Sequence, residues 1–365
     1  PYLLLDGLGG MGHGQDDCNA IVRVSARGQV WLMDAAYDLK TMYDHNGIFV
    51  ARDGRADQPA ALARLTDCAD LPSFGATRTE SPANGLSWAR HILWDKAGFF
   101  VVVDRLTCRV AGDYQANAIW RLPIEGRLEG GRLEARQAGE RFVVAAGGEG
   151  RAKVAWEGVE RALGQRAFAL RQVVSRSLKR HDTITYANLL CWPAAGESPA
   201  PSLERLGETA WLVRGLGGPA LVAAGGGVEG LIETDAAMLR LDGASLALVG
   251  ARRCRVAGRE VWRSAEAVNV ELHADGRVVV VAGEGCWVSS PAAGELAVTA
   301  GAAKSALRLD LRAGQTRLRS TAPAGLAEAF AATLDRAVAK AGQGAGDGTG
   351  DEAAARTALE RSWDL

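Results

Sequence analysis

Through about its first 320 residues the chain repeats one device, a short apolar or alternating run closed by residues that turn the backbone. Val30-Trp31-Leu32-Met33, Phe99-Phe100-Val101-Val102-Val103, Ala187-Asn188-Leu189-Leu190 and Val278-Val279-Val280-Val281 are such runs. Their length and their β-branched and aromatic content read as strands. Between runs stand Asp53-Gly54, Lys96-Ala97-Gly98, Asp242-Gly243 and Asp275-Gly276, pairs and triplets suited to tight turns with positive φ. His91-Ile92-Leu93-Trp94, a short turn, and Phe99 to Val103 predict a hairpin. Little of this region sustains a 3.6-residue period, and no fixed-period repeat marks a propeller or solenoid. The expected fold is all-β, a large antiparallel multi-layer sandwich. A stretch from Trp192-Pro193 to Pro201 divides it into two layers or subdomains, at about 1–195 and 200–320.

The ending has a different period. Leu326, Phe330, Leu334 and Val338 recur every fourth residue through an Ala-rich segment after Pro323. That pattern predicts an amphipathic helix within 321–341, packed on the β body. The Gly-rich stretch 342–351 reads as a flexible linker, and 352–365 as a terminal helical segment. At the other end Pro1 leads at once into Tyr2-Leu3-Leu4-Leu5, the expectation for one domain or fragment of a longer chain.

Several function classes are disfavoured. The 42 basic and 43 acidic residues nearly cancel without a dense basic run, against binding that rests on neutralising many phosphates. No apolar run reaches the roughly 18 to 20 residues of a membrane-spanning helix. The six cysteines are scattered with no CxxC pair, unlike a Cys-rich zinc site or a dense disulfide scaffold. There is no Gly-x-Ser-x-Gly elbow, and Gly225-Gly226-Gly227 follows a strand with no helix after it. Trp31, Trp88, Trp94 and Trp120 are four of the ten tryptophans. Core packing is their expected role.

The informative stretch runs from Gly9 to Val50. His13, Gln15, Asp17 and Asn19 fall at every second position, so a strand would set them on one face. An apolar strand then ends in Asp34, and Tyr43-Asp44-His45-Asn46 leads into Gly47-Ile48-Phe49-Val50. Gln15, Asp34 and His45 from three neighbouring strands could converge on a metal. Equally, Asp34 caps a strand end and His45 is a hydrogen-bonded core histidine.

In order and context these elements resemble the β domain of heparinase II/III-like polysaccharide lyases. That family's Gly-His-x-His-x-Asp segment corresponds to His13, Gln15 and Asp17. Its Leu-x-Asp-x-Gly strand corresponds to Leu32, Asp34 and Ala36, and its His-Asn strand opening to His45, Asn46 and Ile48. His91 to Asp104 and Tyr186 to Leu190 extend the resemblance to about residue 192. It implies a β-sandwich standing behind an N-terminal α/α toroid, with an acidic polysaccharide in the cleft between them. It also implies β-elimination on a uronate-containing glycan, and a periplasmic or secreted setting. His13 would face the substrate and assist catalysis, and Gln15, Asp34 and His45 would hold a divalent metal, zinc above others. Gln15 and Ala36 depart from the family's His and Gly, and an amide oxygen is a weaker zinc ligand than imidazole. Tyr37 and Tyr43 are further catalytic candidates, with a strand-edge packing role as their alternative. Asp17, Asn19 and Asn46 are the candidate substrate contacts. In the family the principal catalytic Tyr comes from the toroid, which another domain or another chain must supply. Two other readings stand beside this one. One is a non-catalytic carbohydrate-binding module. The other is a glycoside hydrolase, for which Asp17 and Asp34 are the available carboxylate pair. His91, between apolar neighbours, is expected to be structural, and His181 and His273 to be exposed.

Overall fold

The computed structural model describes residues 1–9, 17–34, 41–56, 60–157, 166–194, 200–275, 277–282, 295–300, 303–308, 314–319 and 325–344. At the centre lies an eight-stranded antiparallel sheet. Across it run Gly126–Glu129, Arg132–Gln137, Glu140–Ala146, Thr183–Cys191, Phe99–Cys108, Leu86–Asp95, Phe74–Ala83 and Arg64–Asp70. The expected hairpin is its middle pair, with Asp95 opposite Phe99 and Leu86 opposite Cys108. Phe99 to Val103 shows no polar alternation because both faces of this sheet are covered. Phe99, Val101 and Val103 enter a core with Trp211, Val213 and Val222. Phe100 and Val102 point the other way, into a core with Trp31, Trp120, Phe142 and Phe168.

Below this sheet lies a nine-stranded one built from residues after 200, from Ser202–Arg205 to Gly314–Arg319. The helix Leu326–Gly344 packs on its outer face. Leu326, Phe330, Leu334 and Ala337 are buried there against the sheet, and Val338 is half-buried at the margin. Burying three large side chains of this kind stabilises docking by roughly 1.5 to 3 kcal/mol each. The helix runs on through Gly342 to Gly344, into the stretch expected to be linker. The rest of that stretch and the segment 352–365 lie outside the described residues.

A third β layer covers the other face of the central sheet. It consists of a three-stranded sheet, Tyr2–Leu5, Ile21–Ala26 and Gln29–Met33, and a five-stranded sheet. The latter runs Arg151–Glu157, Ala167–Leu178, Gly112–Leu122, Ile48–Arg52 and Arg55–Ala56. Residues up to 194 thus supply two layers, and the chain crosses to the nine-stranded sheet between Cys191 and Ser202. Asp53 and Gly54, with φ of 51° and 75°, form the primed two-residue turn that strand twist favours. Asp242 works differently. Its Oδ1 accepts the N–H groups of Ala244 and Ser245, so this turn is held by a side chain rather than by a positive-φ glycine. Trp31, Trp88 and Trp120 are core residues; Trp94 is half-buried and stacks on Phe100 at 5.7 Å.

Candidate functional site

Three connections meet at the edge of the third layer. Asp17 precedes the turn into Ile21–Ala26, Asp34 follows Gln29–Met33, and His45 follows a short 3-10 turn, Met42–Asp44, before Ile48–Arg52. His45 is fully buried, and its Nδ1 lies 2.6 Å from Asp34 Oδ1. Asp17, Asp34 and His45 each bring one ligand-capable atom, and these atoms all lie within 4.8 Å of one another. Burial pushes the imidazole pKa of His45 down, but the hydrogen bond and charge of Asp34, with Asp17 and Asp44, outweigh it and hold it raised. Burial also raises the Asp17 carboxyl, against the pull of His45. Among the described residues His45 Nε2 is buried and has no hydrogen-bond partner, which is costly unless something fills that role. With Nδ1–H donated to Asp34, Nε2 offers a lone pair. Imidazole plus carboxylate is a donor set that zinc accepts, with the ring oriented by its acid partner. The cluster therefore fits a divalent cation, which would displace the proton that the two acids otherwise hold on the ring.

A buried ion pair lies beneath the cluster. Arg90 and Asp104 face each other across the central hairpin and are 1% and 0% exposed. Arg90 Nε and Nη2 donate to the two Asp104 oxygens at 2.7 and 3.0 Å, and Trp88 Nε1 donates to Asp104 Oδ1 at 2.7 Å. The remaining nitrogen of Arg90, Nη1, donates to the carbonyls of Asn19 and Asn46 at 2.7 and 3.2 Å. Asn19 holds φ at 68°, in the left-handed region that Asn tolerates better than most residues.

The far side of the cluster carries a second arginine group. Arg171 bonds Glu157 through two nitrogens, donates to the Tyr43 carbonyl at 3.1 Å, and stacks on the Tyr43 ring at 3.4 Å from its centroid. Arg121 is buried and lies 3.6 Å from Glu157; burial lowers its pKa against the pull of Asp44 and Glu157. The Tyr43 ring meets Phe49 edge-on and remains partly open to solvent at the rim.

The sequence-derived candidates fall into distinct places. Asp34 and His45 are brought together, and Asp17, expected as a substrate contact, completes their cluster. His13, Gln15 and Tyr37 lie outside the described residues. Asn19 and Asn46, also expected at the substrate, are both fully buried. Asn46 donates to the Ile21 and Met33 carbonyls at 2.9 and 2.8 Å and accepts the Arg121 N–H at 2.6 Å. Asn19 accepts the Thr79 hydroxyl at 2.6 Å. The Asn46 side chain pins backbone, and the Asn19 side chain is engaged by the Thr79 hydroxyl. His91 is buried and structural, and His181 is exposed; His273 is half-buried beside Glu271.

No protein-family model matches this chain, and neither does any curated protein sequence. Solved structures do match it. The chain is similar to heparan sulfate lyases. A mutant of one from Pedobacter heparinus aligns at a TM-score of 0.48 and 15% identity, over 60% of this chain and 38% of its own. A heparinase III gene product with methylated lysines aligns at 0.46 and 12%, over 74% and 38%. A further heparinase III aligns at 0.41 and 12%, over 56% and 35%. The chain thus spans less than two fifths of the length of these structures.

Sequence reasoning missed Arg90, Arg121 and Arg171. For Arg90 a signal existed. A cation within an apolar strand faces an anion within the next, at matching distances from one short turn. For Arg121 and Arg171 no comparable pattern stands out.

Proposed function

We propose that this chain forms one wall of the cleft of a polysaccharide lyase acting by β-elimination on uronate-containing acidic glycans. The observation that carries the reading is the cluster of Asp17, Asp34 and His45, whose imidazole Nε2 is buried with no partner among the described residues. A divalent metal such as zinc, held by His45 together with Asp17 while Asp34 orients the ring, would supply fixed positive charge that favours an anionic substrate group. Gln15, from the motif resemblance, is a further ligand in this proposal.

β-Elimination removes the proton at C5 of the uronate, forms the C4–C5 double bond and expels O4, which takes a proton. It needs a base, an acid and neutralisation of the adjacent carboxylate. His13 is assigned the base or carboxylate-neutralising role on its motif position, and Tyr37 stands as a reserve. Tyr43 presents a phenol at the rim, held by Arg171, and can exchange a proton with a sugar oxygen there. The principal Tyr is assigned to an α/α toroid on the same protein or another chain, and the setting to the periplasm or outside the cell.

The test uses the full-length protein and an acidic glycan. The account expects ultraviolet-absorbing unsaturated products, abolished by His13→Ala and reduced by His45→Ala. Full activity of the His13 variant would remove that residue's role. Tight glycan binding without turnover would favour the carbohydrate-binding module instead.

A further inference from the structure

We infer that Arg90 is a positioning residue for the Asp17, Asp34 and His45 cluster, transmitting the geometry of the central sheet to the two loops that carry Asp17 and His45. The inference rests on the reading of that cluster as the functional site. Its basis is one guanidinium engaged on all its edges. Two nitrogens are locked on Asp104, which the Trp88 indole also holds. The third reaches the carbonyl two residues after Asp17 and the carbonyl next to His45. The Trp88 ring lies 4.9 Å from the guanidinium carbon, so the group is fixed from its face as well.

Site side chains on loops need such support, because connecting segments move more than the strands they join. Arg90 sits in the best-covered part of the fold, paired on both sides within the eight-stranded sheet. The Asn19 and Asn46 carbonyls share one donor nitrogen, so the two loops are held at a spacing set by a single atom. Lysine cannot reproduce this. Its ammonium is a point charge on a flexible stem, without the planar fork that grips a carboxylate and reaches two carbonyls at once. Outer groups of this kind typically change metal affinity by roughly 10- to 100-fold when removed.

Arg90→Met alone would strand a buried carboxylate and endanger folding. The test therefore pairs Arg90→Lys with the double variant Arg90→Met/Asp104→Leu, which removes both charges. Two readouts are taken on folded protein, matched by circular dichroism. Cobalt(II) titration gives metal affinity. Proton NMR of histidine-15N-labelled, metal-free protein gives the solvent exchange of the hydrogen-bonded His45 imidazole N–H. The expected result is at least about tenfold weaker cobalt binding in both variants, with faster exchange of that N–H. Unchanged exchange and unchanged affinity in a folded double variant overturn the inference. If the parent chain binds no cobalt, the metal reading fails while the exchange measurement still decides the role of Arg90. If neither variant folds, Arg90 is a folding residue and the positioning role is rejected.

Discussion

Asn46→Asp is the substitution that most sharply separates a pinning role from a substrate contact. It changes one atom of a fully buried side chain and keeps its shape. In the parent, Nδ2 donates to the carbonyls of Ile21 and Met33, at the two ends of the hairpin leading to Asp34, and Oδ1 accepts the N–H of Arg121. The aspartate loses both donors and sets an oxygen against two carbonyl oxygens. Each buried carbonyl left without its partner costs about 1 to 3 kcal/mol. Two such carbonyls give a total of about 2 to 6 kcal/mol, and taking up a proton restores one donor at most. Urea unfolding at neutral pH measures it, and the midpoint should fall by an amount corresponding to that loss with an unchanged slope. A loss under about 1 kcal/mol, well short of a single unmet carbonyl at the upper end, would refute the reasoning. So would full stability combined with weakened glycan binding, the signature of a residue facing the cleft.

Two further predictions rest on parts of the fold distant from the cluster. Burial drives the pKa of His91 from 6.5 down to about 4, so the folded protein keeps it neutral while the unfolded chain protonates it. The contribution is whole above pH 6.5 and is lost as pH falls toward 4, up to about 3 kcal/mol at 1.36 kcal/mol per pH unit. Urea unfolding from pH 7 to 4.5 should show this slope in the parent and a shallower one in His91→Gln. Phe330→Ala removes a fully buried ring between the helix and the nine-stranded sheet, at about 3 to 5 kcal/mol. Thermal unfolding should register that loss, and a change within error would mean that the helix does not dock as described.

The all-β class was legible because turn residues punctuate short apolar runs, and the helix because Leu326, Phe330 and Leu334 keep a four-residue step. The number of layers was not. Phe99 to Val103 reads equally as a strand buried on one face beside a loop or on both faces, and only the partner sheets decide. At the site, order along the chain carried Asp34 and His45, whose strands are consecutive in the sequence but lie in different sheets. The alternation of His13, Gln15, Asp17 and Asn19 predicts an open strand face on which Asp17 meets the substrate. The structure instead turns the chain after Asp17, with Ala20 N–H bonded to the Asp17 carbonyl. Asn19 and Asn46 looked like ligands for the opposite reason. A buried amide that bonds protein carries the same letters as one that bonds sugar, and the distinction lies in contacts made by residues as far away as Thr79 and Arg121.

The central claim is that Asp17, Asp34 and His45 form a cation site and not merely a hydrogen-bonded core. Zinc titration of the metal-stripped chain by calorimetry, alongside His45→Ala, tests it most directly. The account predicts about one zinc per chain, as expected of a single closed site, with protons released on binding and affinity rising as pH rises. Binding should be lost in His45→Ala. No heat of binding in the parent, or equal binding in the variant, would contradict it.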